Sequence, residues 1–260
     1  MTKTRKQWKA GARRALQGNY TIAIFGMLAT LGVNLAGSGF ADVLFPGSTV
    51  PAIIAGEAFL FIFSLILNIF MAGYSYLLLN LSREQNARMG DLLYFFRNQP
   101  DRVIIAGFFM VLLQLIATVP SIIYTYTSDM GNTMEAQMEW LSSFLLLTVV
   151  SAILQLLFTM PFSMAYYLLA DHNEMGGMEA LKKSASMMKG HLGQFLLLQI
   201  SFFPMIFVSA LLLYIPLLWV IPYMEMANVE FYRDLSGEFR MSYETEPSDP
   251  SCTDGNWEGY

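Results

Sequence analysis

Charged residues are scarce in this sequence. They make up 13% of its 260 residues, whereas hydrophobic residues make up 55% and the mean hydropathy is +0.46. Soluble globular domains usually carry about 25% charged residues, because charge covers the surface that faces water. The scarcity excludes an ordinary soluble domain and indicates a protein that lies in a membrane.

Cysteine, histidine and the common catalytic motifs are also scarce or absent. The single cysteine, Cys252, cannot form an internal disulfide, and the two histidines, His172 and His191, lack the spacing of a metal site. The sequence contains no HExxH, GxSxG, P-loop or Rossmann glycine motif. We therefore predict no metal, no cofactor and no enzymatic activity.

Long windows without charge are present instead, and each contains the roughly 20 apolar residues that cross a bilayer as a helix. The windows predict an all-α, polytopic membrane helix bundle with about six transmembrane helices. The predicted crossings are residues 19–40, 56–81, 103–126, 141–169, 192–214 and 216–232.

The basic residues predict how these helices are oriented. With six crossings, all fifteen Lys and Arg fall on one side of the membrane. The loops on the opposite side, 42–57 and 129–139, contain acidic residues but no Lys or Arg. This is the positive-inside pattern, so we expect both termini in the cytosol. Without the sixth crossing, Arg233 and Arg240 would lie outside. A cleaved signal peptide ending near 36–38 is the alternative for the first segment.

Three segments between the crossings have helical apolar spacing. The predicted stripes are Trp8, Ala12, Ala15 and Leu16; Met89, Leu92, Leu93 and Phe96; and Met178, Leu181, Ala185 and Met188. Each stripe either dips among lipid headgroups or packs on the cytosolic end of the bundle. Basic residues lie off the stripes, and we expect contacts with anionic headgroups or a partner from Arg13, Arg14, Lys182, Lys183 and Lys189. We predict no nucleic-acid partner, because these charges adjoin membrane helices.

The order of segments suggests an internal repeat. An amphipathic segment, an outward helix and an inward helix recur with starts near residues 3, 88 and 177, and LQGNY at 16–20 echoes MKGHL at 188–192. Two crossings per unit give parallel pseudo-repeats. We assign residues 1–235 to the bundle, with 1–18 as its basic N-terminal segment. Residues 236–260 form an acidic tail whose composition predicts disorder.

The third unit resembles a known family. The stretches SASMMKGHLGQFLLLQISFFP from Ser184 and LLWVIPYMEMANVEFYRDL from Leu217 are similar to the bacterial integral membrane family called domain of unknown function 975 (DUF975). The resemblance implies a multipass protein of a bacterial cytoplasmic membrane and no particular activity. The chain departs from the family pattern at Phe203-Pro204, where we expect a kink. The main matching positions are Ser184, Gly190, Trp219, Pro222, Tyr223, Phe231 and Tyr232.

Polar residues interrupt the last crossing. Glu225 and Asn228 share a helix face, and a carboxylate within a membrane helix is a functional candidate. Glu230 lies close enough to the helix end to reach water. The alternative is a short interfacial helix that begins at Pro222 and turns its polar side to water.

Glutamines lie near the middles of three crossings, at Gln114, Gln155 and Gln199. They either bridge helices through hydrogen bonds or line a polar pathway. Two functions follow. The first is a non-enzymatic protein that organises lipid or partner proteins at the membrane, and the alternative is a small-solute or ion transporter that uses Glu225, Asn228 and the glutamines. The sequence does not specify an oligomeric state.

Overall fold

The computed structural model describes residues 3–46 and 49–239, and within these ranges every regular element is helical. The all-α prediction is confirmed. The α-helices are α1 (Arg5–Leu16), α2 (Tyr20–Leu44), α3 (Val50–Ser82), α4 (Tyr94–Arg97), α5 (Pro100–Thr127), α6 (Met134–Thr159), α7 (Ala165–Asp171), α8 (Gly177–Met188), α9 (Leu192–Ile200), α10 (Phe203–Leu211) and α11 (Leu217–Leu235). Short 3₁₀ helices cover Met89–Leu93 and Met160–Phe162.

Five helical stretches are long and apolar enough to cross a membrane: Tyr20–Leu44, Val50–Ser82, Pro100–Thr127, Met134–Asp171 and Leu192–Leu211. The predicted sixth crossing, α11, is not among them, because Glu225, Glu230, Arg233 and Asp234 all fall within its 19 residues. The turn before α11 lies against the middle of α2 and α3, since Tyr214 lines one cavity together with Asn34 and Leu67. A full sixth crossing therefore stays a prediction.

The predicted units recur in the backbone. Each short segment ends in an extended residue, followed by a residue of positive φ, and a long helix starts soon after. The positive-φ residues are Gly18 (φ 83°), Gln99 (φ 52°) and Gly190 (φ 88°). Glycine adopts this left-handed conformation without a Cβ penalty. This explains why the two similar stretches, LQGNY and MKGHL, both contain a glycine at this position, Gly18 and Gly190. The local turn geometry supports the threefold repeat.

The best-packed part of the molecule is the end where the short segments gather, which we call the basal bundle. It consists of α1, the last two turns of α3, α7, α8 and α11 from Tyr223 onward. Its largest fully buried side chains include Trp8, Leu78, Leu168 and Tyr232. The opposite ends of the long helices are looser, and Ser151 is the only buried residue of α6.

The apolar stripe of α1 packs into the basal bundle. Trp8, Ala12 and Leu16 are buried, and the ring of Trp8 meets Phe231 of α11 edge to face at 4.9 Å. In α8, Leu181 and Met188 are buried whereas Met178 is exposed. Of the two alternatives for these stripes, packing on the bundle is the one observed.

The stripe predicted for the second segment is only partly right. Leu92 and Phe95 are buried, whereas Met89, Leu93 and Phe96 are exposed. The segment begins as a 3₁₀ helix, which has three residues per turn, so residues i and i+3 share a face. The α-helical spacing used for the prediction correctly included Leu92 but selected Leu93 and Phe96 and missed Phe95.

Two breaks in the long helices lie at or next to prolines. The kink expected at Phe203-Pro204 is present, because α9 ends at Ile200 and α10 begins at Phe203. Near Pro161, the hydroxyl of Ser184 donates to the Pro161 carbonyl (2.9 Å) and accepts from the Met164 N–H (3.2 Å). Ser184 thus satisfies backbone groups that the break between α6 and α7 leaves without helical partners.

Candidate functional site

An ionic network lies where α3, α7 and α11 end together in the basal bundle. The guanidinium of Arg83, just after α3, pairs with Asp171 of α7 through two hydrogen bonds of 2.6 and 3.0 Å. It also pairs with Glu238, beyond α11, at 2.9 Å. Glu238 in turn accepts from Arg233 of α11. One arginine thereby joins the C-terminal ends of α3, α7 and α11.

Glu230 forms the second half of this network. The Ser82 hydroxyl donates to its carboxylate at 2.7 Å, Arg233 pairs with it at 3.0 Å, and the Lys3 ammonium lies 3.7 Å away. Only 3% of Glu230 is exposed, so the expectation that it reaches water is wrong. Its partners explain how a carboxylate is tolerated there, because a buried charge needs pairing and hydrogen bonds. Gly11 of α1 leaves room for this carboxylate.

The network changes the pKa of its members. Burial alone would raise the pKa of Glu238, but its hydrogen bonds to Arg83 and Arg233 lower that pKa below the ordinary glutamate value. The pKa of Arg83 is raised, chiefly by its hydrogen bonds to Asp171 and despite its burial. Burial lowers the pKa of Lys3, and the neighbouring Glu230 partly offsets this.

Aromatic residues fix α1 and α7 to α11. Tyr232 donates its hydroxyl to Asp171 at 2.7 Å, and its ring lies 5.3 Å from that of Tyr167. Phe231 contacts both Trp8 and Phe195. Tyr223 donates to the Lys9 carbonyl at 3.4 Å. These buried family positions are therefore contacts within the bundle.

The remaining family positions differ in environment. Pro222 is buried inside α11, and Gly190 supplies the positive φ described above. Trp219, in contrast, is 51% exposed. It lies near the start of α11, outside the basal bundle, so its side chain is available to lipid or a partner.

Three of the predicted polar residues lie close together on α9 and α11. Gln199 of α9 donates to Asn228 of α11 at 2.8 Å, and Asn228 approaches the Glu225 carboxylate at 3.5 Å. Glu225 is half-buried and lies within electrostatic range of Tyr74 and Tyr167. The predicted Glu225 and Asn228 pair is present, and Gln199 bridges two helices as expected.

Gln114 and Gln155 lie elsewhere and form no helix-bridging hydrogen bond within the described ranges. Both line a cavity of about 440 Å³ between α3, α5 and α6, together with Glu57. An amide bridge does occur nearby, where Tyr166 donates to Asn68. The five predicted polar residues therefore belong to two separate places.

The basic residues predicted to contact lipid or a partner are exposed, although the Arg13 guanidinium lies 5.6 Å from the Tyr223 ring and the Lys183 ammonium lies 3.4 Å from His172 Nε2. Arg13 and Arg14 of α1, Lys182 and Lys183 of α8, and Lys189 just after α8 are all exposed. Within the part of the chain that the structure describes, these five form no ion pair. The opposite faces of α1 and α8 are buried in the basal bundle, so packing holds the helices that carry these basic residues in place.

Sequence reasoning missed the network around Arg83 and Asp171. Each lies at the end of a predicted inward helix, as Arg233 and Asp234 do in the third unit. Comparing equivalent positions of the three units would have shown charged residues at every inward helix end. Charged groups in equivalent places of a repeat are expected to meet when the units pack side by side.

The comparisons with known proteins identify a family but no characterised relative. A family model described as "Protein of unknown function (DUF975)" matches residues 1–238. No curated protein and no solved structure matches the chain.

Proposed function

The chain belongs to the DUF975 family of proteins of unknown function, and from that premise we propose that it is a non-enzymatic membrane protein that organises anionic lipid around its basal bundle. In this proposal the basal bundle faces the cytosol of a bacterial cell, next to the cytoplasmic membrane. The observation that carries the proposal is the pairing of buried stripes with outward bases on α1 and α8.

The position of these bases suits phospholipid headgroups. Arg13 and Arg14 lie within two turns of Tyr20, where the first candidate span begins, and Lys189 lies three residues before Leu192, where the last one begins. Basic groups at a membrane surface attract anionic lipids with about 1 kcal/mol per residue. A rigid bundle holds several such groups in place, so binding does not require the folding of a loop.

Charge reversal tests this function. We expect the Arg13→Glu, Arg14→Glu, Lys182→Glu, Lys183→Glu protein to retain far less phosphatidylglycerol than the parent when detergent-purified protein is examined by native mass spectrometry. Retention of phosphatidylcholine should be unchanged. Because the contact is electrostatic, added salt should weaken it for the parent.

A control adds two acids at the other end of the molecule, as Asn132→Glu with Gln137→Glu, and shows whether added negative charge far from the basic face affects retention. This control should retain phosphatidylglycerol normally. Equal retention by the charge-reversed protein would refute lipid binding by these residues. Loss of a copurifying protein with unchanged lipid retention would assign the basic face to a protein partner instead.

One observation favours a second function, the transport of a small solute or ion. Glu225, Asn228 and Gln199 form a connected polar chain between α9 and α11. We would measure flux in proteoliposomes containing the parent or the Glu225→Gln protein, with Asp42→Asn as the control. Flux that depends on Glu225 supports transport, and equal flux by the parent and Glu225→Gln removes the proposed role of the carboxylate.

A further inference from the structure

A cleft at the level of the long helices combines apolar walls with an unpaired carboxylate. We call it the Glu57 cleft, and its polar lining residues are Glu57, Ser64, Gln114, Thr118 and Gln155. Its volume of about 440 Å³ falls in the range of small-molecule sites, which is roughly 300–1,000 Å³. The remaining lining is mostly aliphatic and aromatic, including Leu60 and Phe61.

The polar groups of the cleft are available to a ligand. The hydroxyls of Ser64 and Thr118 donate to carbonyls of their own helices, at 2.6 and 3.1 Å. In contrast, the side chains of Glu57, Gln114 and Gln155 form no hydrogen bond or ion pair with described residues. Glu57 and Gln114 are exposed and Gln155 is half-buried, so their polar groups are accessible to an occupant that pairs with them.

The cleft continues into two further cavities. A second cavity of about 340 Å³ shares Ser64, Val111 and Gln114 with it. A third cavity of about 430 Å³ shares Asn34, Leu67 and Met71 with the second. The third is lined almost entirely by apolar groups. Because neighbouring cavities share lining residues, we treat the three as one amphipathic groove, whose charged end is the Glu57 cleft and whose apolar end lies beside α11.

Charge identifies the kind of occupant. Glu57 is the only charged side chain among the residues that line the three cavities, and none of these residues is basic. An anionic phospholipid is a poor fit, because its phosphate would approach the Glu57 carboxylate with no basic side chain to balance it. A cationic head beside Glu57 and an apolar body along the groove satisfy both ends.

We propose that the groove binds an amphiphilic organic cation, meaning a hydrophobic amine or quaternary ammonium compound, with its positive head at Glu57. The amide oxygens of Gln114 and Gln155 assist by accepting from an ammonium N–H or facing its positive charge. The apolar body extends past Leu67 and Met71. This site is distinct from the basic face of the basal bundle and does not depend on it.

The test uses two probes of the same shape and opposite charge, tetraphenylphosphonium and tetraphenylborate. Radiolabelled tetraphenylphosphonium should bind the detergent-purified full chain saturably. Tetraphenylborate, which is assayed separately because the two ions precipitate each other, should show no saturable binding. Loss of one close charge pair predicts a dissociation constant about five- to tenfold higher for Glu57→Gln. Glu57→Asp, which keeps the charge, should recover part of the affinity.

Asp42→Asn is the matched control, because Asp42 is an exposed acid near the same ends of the long helices but does not line the groove. It should bind as the parent does. Equal affinity of parent and Glu57→Gln, or saturable binding of tetraphenylborate as tight as that of tetraphenylphosphonium, would overturn the proposal. Absence of saturable binding by the parent would overturn it as well.

Discussion

Trp8 donates its indole N–H to the Asp234 carboxylate at 3.1 Å, and these two residues are 226 positions apart in the sequence. Trp8 is 2% exposed and Asp234 is 3% exposed. A buried indole N–H needs a partner, and Asp234 supplies it while the indole ring packs on Phe231. The first and last helices of the family domain are thus fixed to each other.

Replacing Trp8 should release α1 from the basal bundle. We expect Trp8→Ala to lower the free energy of unfolding by about 3–5 kcal/mol, because it removes a fully buried aromatic side chain and leaves Asp234 with one donor fewer. Thermal unfolding in detergent measures the change. Trp219→Ala is the control, since Trp219 is half-exposed, and an equally large loss from it would contradict the assignment.

We expect the Ser184 hydroxyl to stabilise the break between α6 and α7. Ser184→Ala leaves the half-buried Pro161 carbonyl and the buried Met164 N–H without this partner, which should cost about 1–3 kcal/mol. The control on the same helix is Ser186→Ala, an exposed serine. Both proteins would be compared by thermal unfolding, and equal stability of the two would show that the hydroxyl is not needed.

We expect the close packing between α3 and the second short segment to require glycine at position 73. A Cβ on Gly73 would lie 2.0 Å from the backbone carbonyl oxygen of Leu92, so Gly73→Ala requires the backbone to move. We expect a loss of stability of about 1–3 kcal/mol, the usual cost of overpacking. Gly39→Ala in α2, where a Cβ meets nothing, should be neutral or stabilising. A harmless Gly73→Ala would show that the contact is loose.

Part of this architecture could be predicted from local sequence patterns. Apolar run length indicated the candidate spans, the i, i+4 stripe indicated α1, and the i, i+3 spacing indicated the pairing of Glu225 with Asn228. Local patterns could not reveal the pairing of Arg83 with Asp171, because it depends on how helix ends converge. They also failed for Phe95, because a 3₁₀ turn changes which residues share a face.

Glu238 predicts acid sensitivity of the junction beyond α11. Its pKa is lower in the folded protein than in the unfolded chain. It therefore contributes stability above the unfolded glutamate pKa, about 4.3, and loses that contribution as pH falls through the lower folded value. We expect Glu238→Gln to be less stable than the parent at pH 7 and the difference to shrink toward pH 3. A difference independent of pH would contradict a role for its charge.

Both ends of the described chain lie at the basal bundle, which predicts the membrane topology. The backbone N–H of Lys3 donates to Asp234 at 3.1 Å, so the chain returns to the end at which it starts, whether or not α11 spans the hydrocarbon.

Cys252 lies outside the described residues but follows Asp234 by only 18 positions. With the basic residues in the cytosol, a membrane-impermeant thiol reagent should label Cys252 only after cells are permeabilised. Thr4→Cys in a Cys252→Ser background should behave identically, and Asn132→Cys should react in intact cells. Labelling of Cys252 and Thr4→Cys from opposite sides would show that the two ends are not joined in the membrane.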